Sequence, residues 1–145
     1  MSYVSWHTYG YGIVVSDLRN VTYERVEKLI QRAPKYEKAY KDWLTQCRIA
    51  EPTLEAIAEF DEDYGLGLAT TLREVILESE GVELTSCNDY DGKTYLLYEP
   101  SYPWWLKDRE RHLTETDICS LLAKYVSIIT DEPIVVDYQN PANGG

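Results

Sequence analysis

Hydrophobic positions alternate at the start of the chain and then change to helical spacing. Over residues 3–15, Val4, Trp6 and Thr8 fall on one face and Tyr3, Ser5, His7, Tyr9 and Tyr11 on the other, the pattern of a strand. Gly10 and Gly12 interrupt it and mark a bulge or a close backbone approach before the apolar Ile13, Val14 and Val15. After a turn at 17–21, Val26, Leu29 and Ile30 make one stripe of a helix over 22–32, capped by Thr22. Pro34 suits the first position of a second helix, 34–47, with Tyr36, Tyr40, Trp43, Leu44 and Cys47 on its apolar stripe.

A short helix follows Pro52 and carries Leu54, Ile57, Ala58 and Phe60. A longer one fits residues 66–79 through Leu68, Leu72, Val75 and Ile76, and Gly81 ends it. Residues 82–87 and 94–99 read as a hairpin around the turn residues 88–93. Its second strand contains TYLLY, which is apolar on both sides and so belongs at the centre of a sheet. Residues 99–106, EPSYPWWL, hold two prolines and two tryptophans and form a rigid aromatic loop, in which Trp104 and Trp105 either lid the core or stand out as anchors. A last helix starts at Thr114, with Asp117 approximating a capping box and Ile118, Leu121, Leu122, Tyr125 and Ile129 on its buried stripe. A strand over 134–138 and a flexible tail over 139–145 complete the chain.

The predicted order is βααααββαβ. Helices are grouped and βαβ alternation is absent, so the expectation is a single α+β domain over 1–138. It has a small, largely antiparallel sheet of about four strands and about five helices, mainly on one side.

Charge adds a second layer. The chain of 145 residues carries a net charge of −11. Residues 1–50 hold eight basic residues and five acids, whereas residues 51–99 hold thirteen acids against Arg73 and Lys93. The middle third alone therefore nets −11. Such a surface repels phosphate backbones and attracts a basic partner protein, or serves only to solvate the molecule. The second helix is the most basic segment, but Glu37 and Asp42 are interspersed with Lys35, Lys38 and Lys41, which favours ordinary solvation. Thirteen tyrosines stand against one phenylalanine, a bias that suits protein interfaces or a half-covered sheet.

The densest acidic point is EFDEDYGLGLATT, residues 59–71, where Glu59, Asp61, Glu62 and Asp63 precede two glycines. It fails as an EF-hand loop: counting from Asp61, positions 5, 6 and 12 are Gly65, Leu66 and Leu72. It fails as a phosphate cradle, because Thr70 stands where a third glycine belongs, no strand precedes it and the acids repel pyrophosphate. It reads as a helix entrance whose acids meet the positive end of the helix dipole. Cys47, Cys87 and Cys119 are widely spaced and odd in number, which predicts buried free thiols. No apolar stretch is long enough for a bilayer and the N-terminus lacks a signal pattern, so a cytoplasmic protein is expected, with no cofactor or metal.

Two classes of function remain open. An enzyme would use His7 or His112, the only histidines, with an unassigned carboxylate. A non-enzymatic binding module would use Glu59, Asp61, Glu62, Asp63, Glu74, Glu78 and Glu80 as an electrostatic face and Tyr64, Tyr90, Trp104 and Trp105 as aromatic anchors. An accessory structural protein would need neither. In length, acidity and lack of catalytic motifs, the chain resembles small phage or mobile-element inhibitors of host defence, of the anti-CRISPR kind. That resemblance implies masking of a basic, nucleic-acid-binding surface on a partner protein.

Overall fold

The computed structural model describes residues 6–7, 10–60, 67–99, 113–139 and 141–144. The chain forms strands β1 (Trp6–His7) and β2 (Gly10–Val14), then helices α1 (Tyr23–Ile30), α2 (Pro34–Gln46), α3 (Leu54–Phe60) and α4 (Leu68–Glu80). Strands β3 (Thr85–Asn88) and β4 (Thr94–Tyr98), helix α5 (Glu115–Ile129) and strands β5 (Asp137–Gln139) and β6 (Ala142–Gly144) follow. The fold is α+β, with five helices and a four-stranded antiparallel sheet of order β3-β4-β2-β5.

β4 is central, as its two-sided apolar sequence requires. Leu96 lies fully buried in the main core with Ile13, its partner in register on β2. Leu97 and Tyr95 alternate to the other face and are buried there as well. α4 covers β3 and β4, α5 covers β2, and α1 sits against both helices. The core between them is aliphatic: Val26, Leu29, Leu72, Ile76, Leu122 and Ile129 are all shielded from solvent. α2 and α3 pack on α4.

Local signals in the sequence explain several element ends. Thr114 Oγ1 accepts from the Asp117 N–H, and the Asp117 carboxylate accepts from the Thr114 N–H, closing a capping box at α5. Gly81 ends α4 at φ 71°, in the left-handed region. In the β3–β4 turn, Asp89 Oδ1 accepts the N–H groups of Asp91 and Lys93 while Oδ2 accepts the Tyr95 hydroxyl. Those bonds, the Tyr95 hydroxyl first, hold the Asp89 carboxyl below its ordinary pKa, and they commit this acid to the turn.

Three expectations differ from the structure. The first strand is broken: β1 pairs with β6, and β2 joins the main sheet. Residues 139–145, expected as a flexible tail, include Gln139 in β5 and Ala142–Gly144 paired antiparallel with β1. This run of Pro, Asn and Gly has few large apolar side chains, although Pro141 is buried, but pairing uses the backbone and needs only a neighbouring edge. The thiols are not buried: Cys47 and Cys119 are exposed and Cys87 is partly covered. Cys119 follows Ile118 by one residue, about 100° round the helix from the buried stripe, and Cys47 lies just beyond the last residue of α2.

Candidate functional site

Six acids of the middle third fall into two groups, on α4 and on or before α3, while Glu83, Asp89, Asp91 and Glu99 lie on or beside β3 and β4. Those on α4 have partners within the molecule. Glu78 stands beyond the start of α2, where Ala33 offers no capping side chain, and its two carboxylate oxygens accept the N–H groups of Lys35 and Tyr36, each at 3.0 Å. It thus caps a neighbouring helix and satisfies two of its unpaired donors. Glu80 accepts from Lys124 Nζ and the Tyr125 hydroxyl, both at 2.7 Å, and ties the end of α4 to α5. Glu74 pairs with Arg73, which also donates to Ser86 on β3.

The hydrogen bonds from Lys124 and then Tyr125 hold the Glu80 carboxyl below its ordinary value of 4.5. With the folded pKa below the unfolded one, these contacts stabilise the fold fully above the unfolded value and are lost as pH falls through the folded one. Glu80→Gln is therefore expected to melt at a lower temperature than wild type at neutral pH, and the gap should close in acid. Melting curves measured across that range check this, and a gap constant with pH would refute it.

The second group lies on and before α3. Glu51, Glu55 and Glu59 are exposed and make no hydrogen bond or ion pair with the described residues. Glu55 and Glu59 are one helical turn apart, a spacing at which like charges cost about 0.2–0.5 kcal/mol. α3 is anchored through Ala56 and Ile57, both buried, and through Phe60, whose ring meets Tyr36, Tyr40 and Trp43 of α2 at 5.2–5.5 Å. Gly67 brings the start of α4 close to α3: a Cβ there would lie 3.4 Å from the Ala58 Cα, and its φ of 37° suits glycine. Glu51 and Glu55 escaped the sequence reading, although their four-residue spacing with Glu59 is visible there.

Of the expected anchors, Tyr90 stands at the tip of the β3–β4 turn, 70% exposed. Asp61, Glu62, Asp63, Tyr64, Trp104, Trp105 and His112 lie outside the described residues. His7 lies in β1, paired with Ala142.

A shallow cavity of about 80 Å³ opens at the start of α5. Tyr98, Tyr11 and Tyr138 stand side by side across β4, β2 and β5, because Tyr11 is in register with both of the others. Leu113, Thr114, Glu115 and Ile118 close the cavity. The Tyr11 and Tyr138 rings are 5.1 Å apart and tilted, and the Tyr138 hydroxyl donates to the Glu115 carboxylate. Partial burial, and then the neighbouring Cys119 side chain and the Glu115 and Asp137 carboxylates, raise the Tyr11 phenol above its ordinary pKa. The space is small beside the ~300–1,000 Å³ of drug-sized ligand pockets.

No known family, curated protein or solved structure matches this chain. What the molecule does must then be read from its own chemistry. Among the described residues, no group of three or more His, Cys, Asp or Glu is placed to hold a metal ion. Among them, too, no helix is long and apolar enough to cross a membrane.

Proposed function

We propose that the protein is a non-enzymatic acidic binding module whose contact face is centred on α3, and that its partner is a protein with a basic surface. The observation that carries this reading is the division among the acids. Glu74, Glu78 and Glu80 are spent on internal contacts, while Glu51, Glu55 and Glu59 remain exposed and unpaired among the described residues. Along the chain, Asp61, Glu62 and Asp63 extend the same charge. Much of the positive charge on the α2 surface is offset locally, through Lys38 with Asp42 and Lys41 with Glu37. An acidic face of this kind speeds encounter with an opposite charge and disfavours nucleic acid itself. A basic nucleic-acid groove on a processing enzyme is the surface it fits best. Covering that groove would inhibit the enzyme in the cytoplasm, in the manner of the small mobile-element inhibitors it resembles.

The test is capture of partners by the immobilised protein at low and high salt, with wild type and the triple variant Glu51→Gln, Glu55→Gln, Glu59→Gln compared side by side. Three exposed charges at roughly 0.5 kcal/mol each should weaken affinity about tenfold. Salt should weaken wild-type binding and affect the variant less. A captured partner whose affinity ignores both salt and the triple substitution would sink the electrostatic reading.

A further inference from the structure

The tyrosine cleft at the start of α5 has a chemistry that the acidic-face reading does not use. We propose that it binds a methylated ammonium head group, held against the rings of Tyr11, Tyr98 and Tyr138 with the Glu115 carboxylate at its rim. Three aromatic rings side by side on adjacent strands line one small volume. A cation within about 6 Å of such rings is attracted by their negative faces, and more strongly when it is weakly hydrated, as methylated ammonium is. The cavity of about 80 Å³ is sized for a compact head group rather than a larger ligand.

The local charge also selects a cation. A helix start is ordinarily receptive to anions, but the α5 start already carries two carboxylates, Glu115 in its first turn and Asp117 in the capping box. Glu115 is held in place by the Tyr138 hydroxyl. The Tyr11 phenol is raised first by its partial burial and then by neighbours that include the Glu115 and Asp137 carboxylates. Tyr138 is 50% exposed, so the cleft is open to solvent on the β5 side. These residues lie on β2, β4, β5 and α5, whereas the acidic face is built on α3, so either site stands if the other fails.

Tetramethylammonium chloride titrated into the full-length protein, with tyrosine ring signals followed by NMR, tests the proposal. The expected result is a saturable shift at Tyr11, Tyr98 and Tyr138, with no saturable response to tert-butanol, a neutral compound of similar size. Tyr138→Leu should weaken binding about tenfold, and Glu115→Gln, which keeps an acceptor but loses the charge, about threefold. Circular dichroism checks that both variants are folded. A parallel titration with a short peptide carrying one trimethylated lysine identifies the source. Tighter binding of the peptide assigns the head group to a protein side chain, and equal binding assigns it to a free small molecule. Unsaturable shifts, equal binding of tert-butanol, or affinity unchanged in Glu115→Gln and Tyr138→Leu would each overturn the proposal.

Discussion

Replacing Gly12 by valine should disrupt the β2–β4 pairing and remove a large part of the domain's stability. A Cβ at this position would lie 2.0 Å from the Leu96 carbonyl oxygen and 2.9 Å from the Leu97 Cα, both on the central strand β4. These are backbone atoms of a strand buried on both faces, so no flexible side chain can move aside. Overpacking in a well-filled interior typically costs about 1–3 kcal/mol and more when backbone must shift, so the loss here is expected above about 3 kcal/mol. Against a stability of roughly 5–15 kcal/mol for a domain, that removes a large share of the margin and should shift the urea midpoint well below that of wild type. Gly92→Ala provides the contrast. No atom lies within 4 Å of its Cβ position, but its φ is +83°. Only backbone conformation is at stake there, at a cost of about 1–2 kcal/mol. Urea unfolding of the two variants separates the effects, and a Gly12→Val protein with near-wild-type stability would show that β2 and β4 are not paired as described.

Phe60→Ala should cost about 3 kcal/mol, the lower end for loss of a phenylalanine side chain because the ring is only partly buried. Its ring meets Tyr36, Tyr40 and Trp43, all on α2. α3 spans Leu54–Phe60. Helices shorter than ~12–15 residues do not persist in isolation, so α3 depends on this anchor and on Ile57. The loss is therefore expected to be partly local, with hydrogen-exchange protection falling in α3 more than in α5. If α3 is the contact face proposed above, affinity for a basic partner should fall as well, even though no charge changes, since α3 carries Glu55 and Glu59. Phe60→Leu keeps most of the volume and should retain most of the stability, losing less than about 1.5 kcal/mol. Equal protection of α3 in Phe60→Ala and wild type would show that the aromatic contact does not hold the helix.

The glycines and the single phenylalanine also mark how far local reading reaches. Gly12 announced a close backbone approach by interrupting an alternating strand, and Gly81 announced a helix end. The capping box at Thr114 and the central place of TYLLY were legible because each depends on residues within one turn or one strand. The roles of the α4 acids were not legible. Glu78 meets Lys35 and Tyr36 more than forty residues earlier in the chain, and Glu80 meets Tyr125 forty-five residues later. The exposure of Cys119 was within reach, since it falls between two residues of a correctly read stripe without belonging to it.

The sequence alone determined the class of the fold, the positions of the helices and the charge map, because propensity, amphipathic spacing and capping act over a few residues. It also concentrated the negative charge in the middle third. Tertiary structure alone decided which of those charges remain available. Helix packing brings Glu78 to the start of α2 and Glu80 to α5, and leaves Glu51, Glu55 and Glu59 facing solvent. Strand register likewise sets Tyr11 between Tyr98 and Tyr138, residues 87 and 127 positions away in the chain. Register is a property of paired strands, and no window of sequence around any one of the three tyrosines contains it.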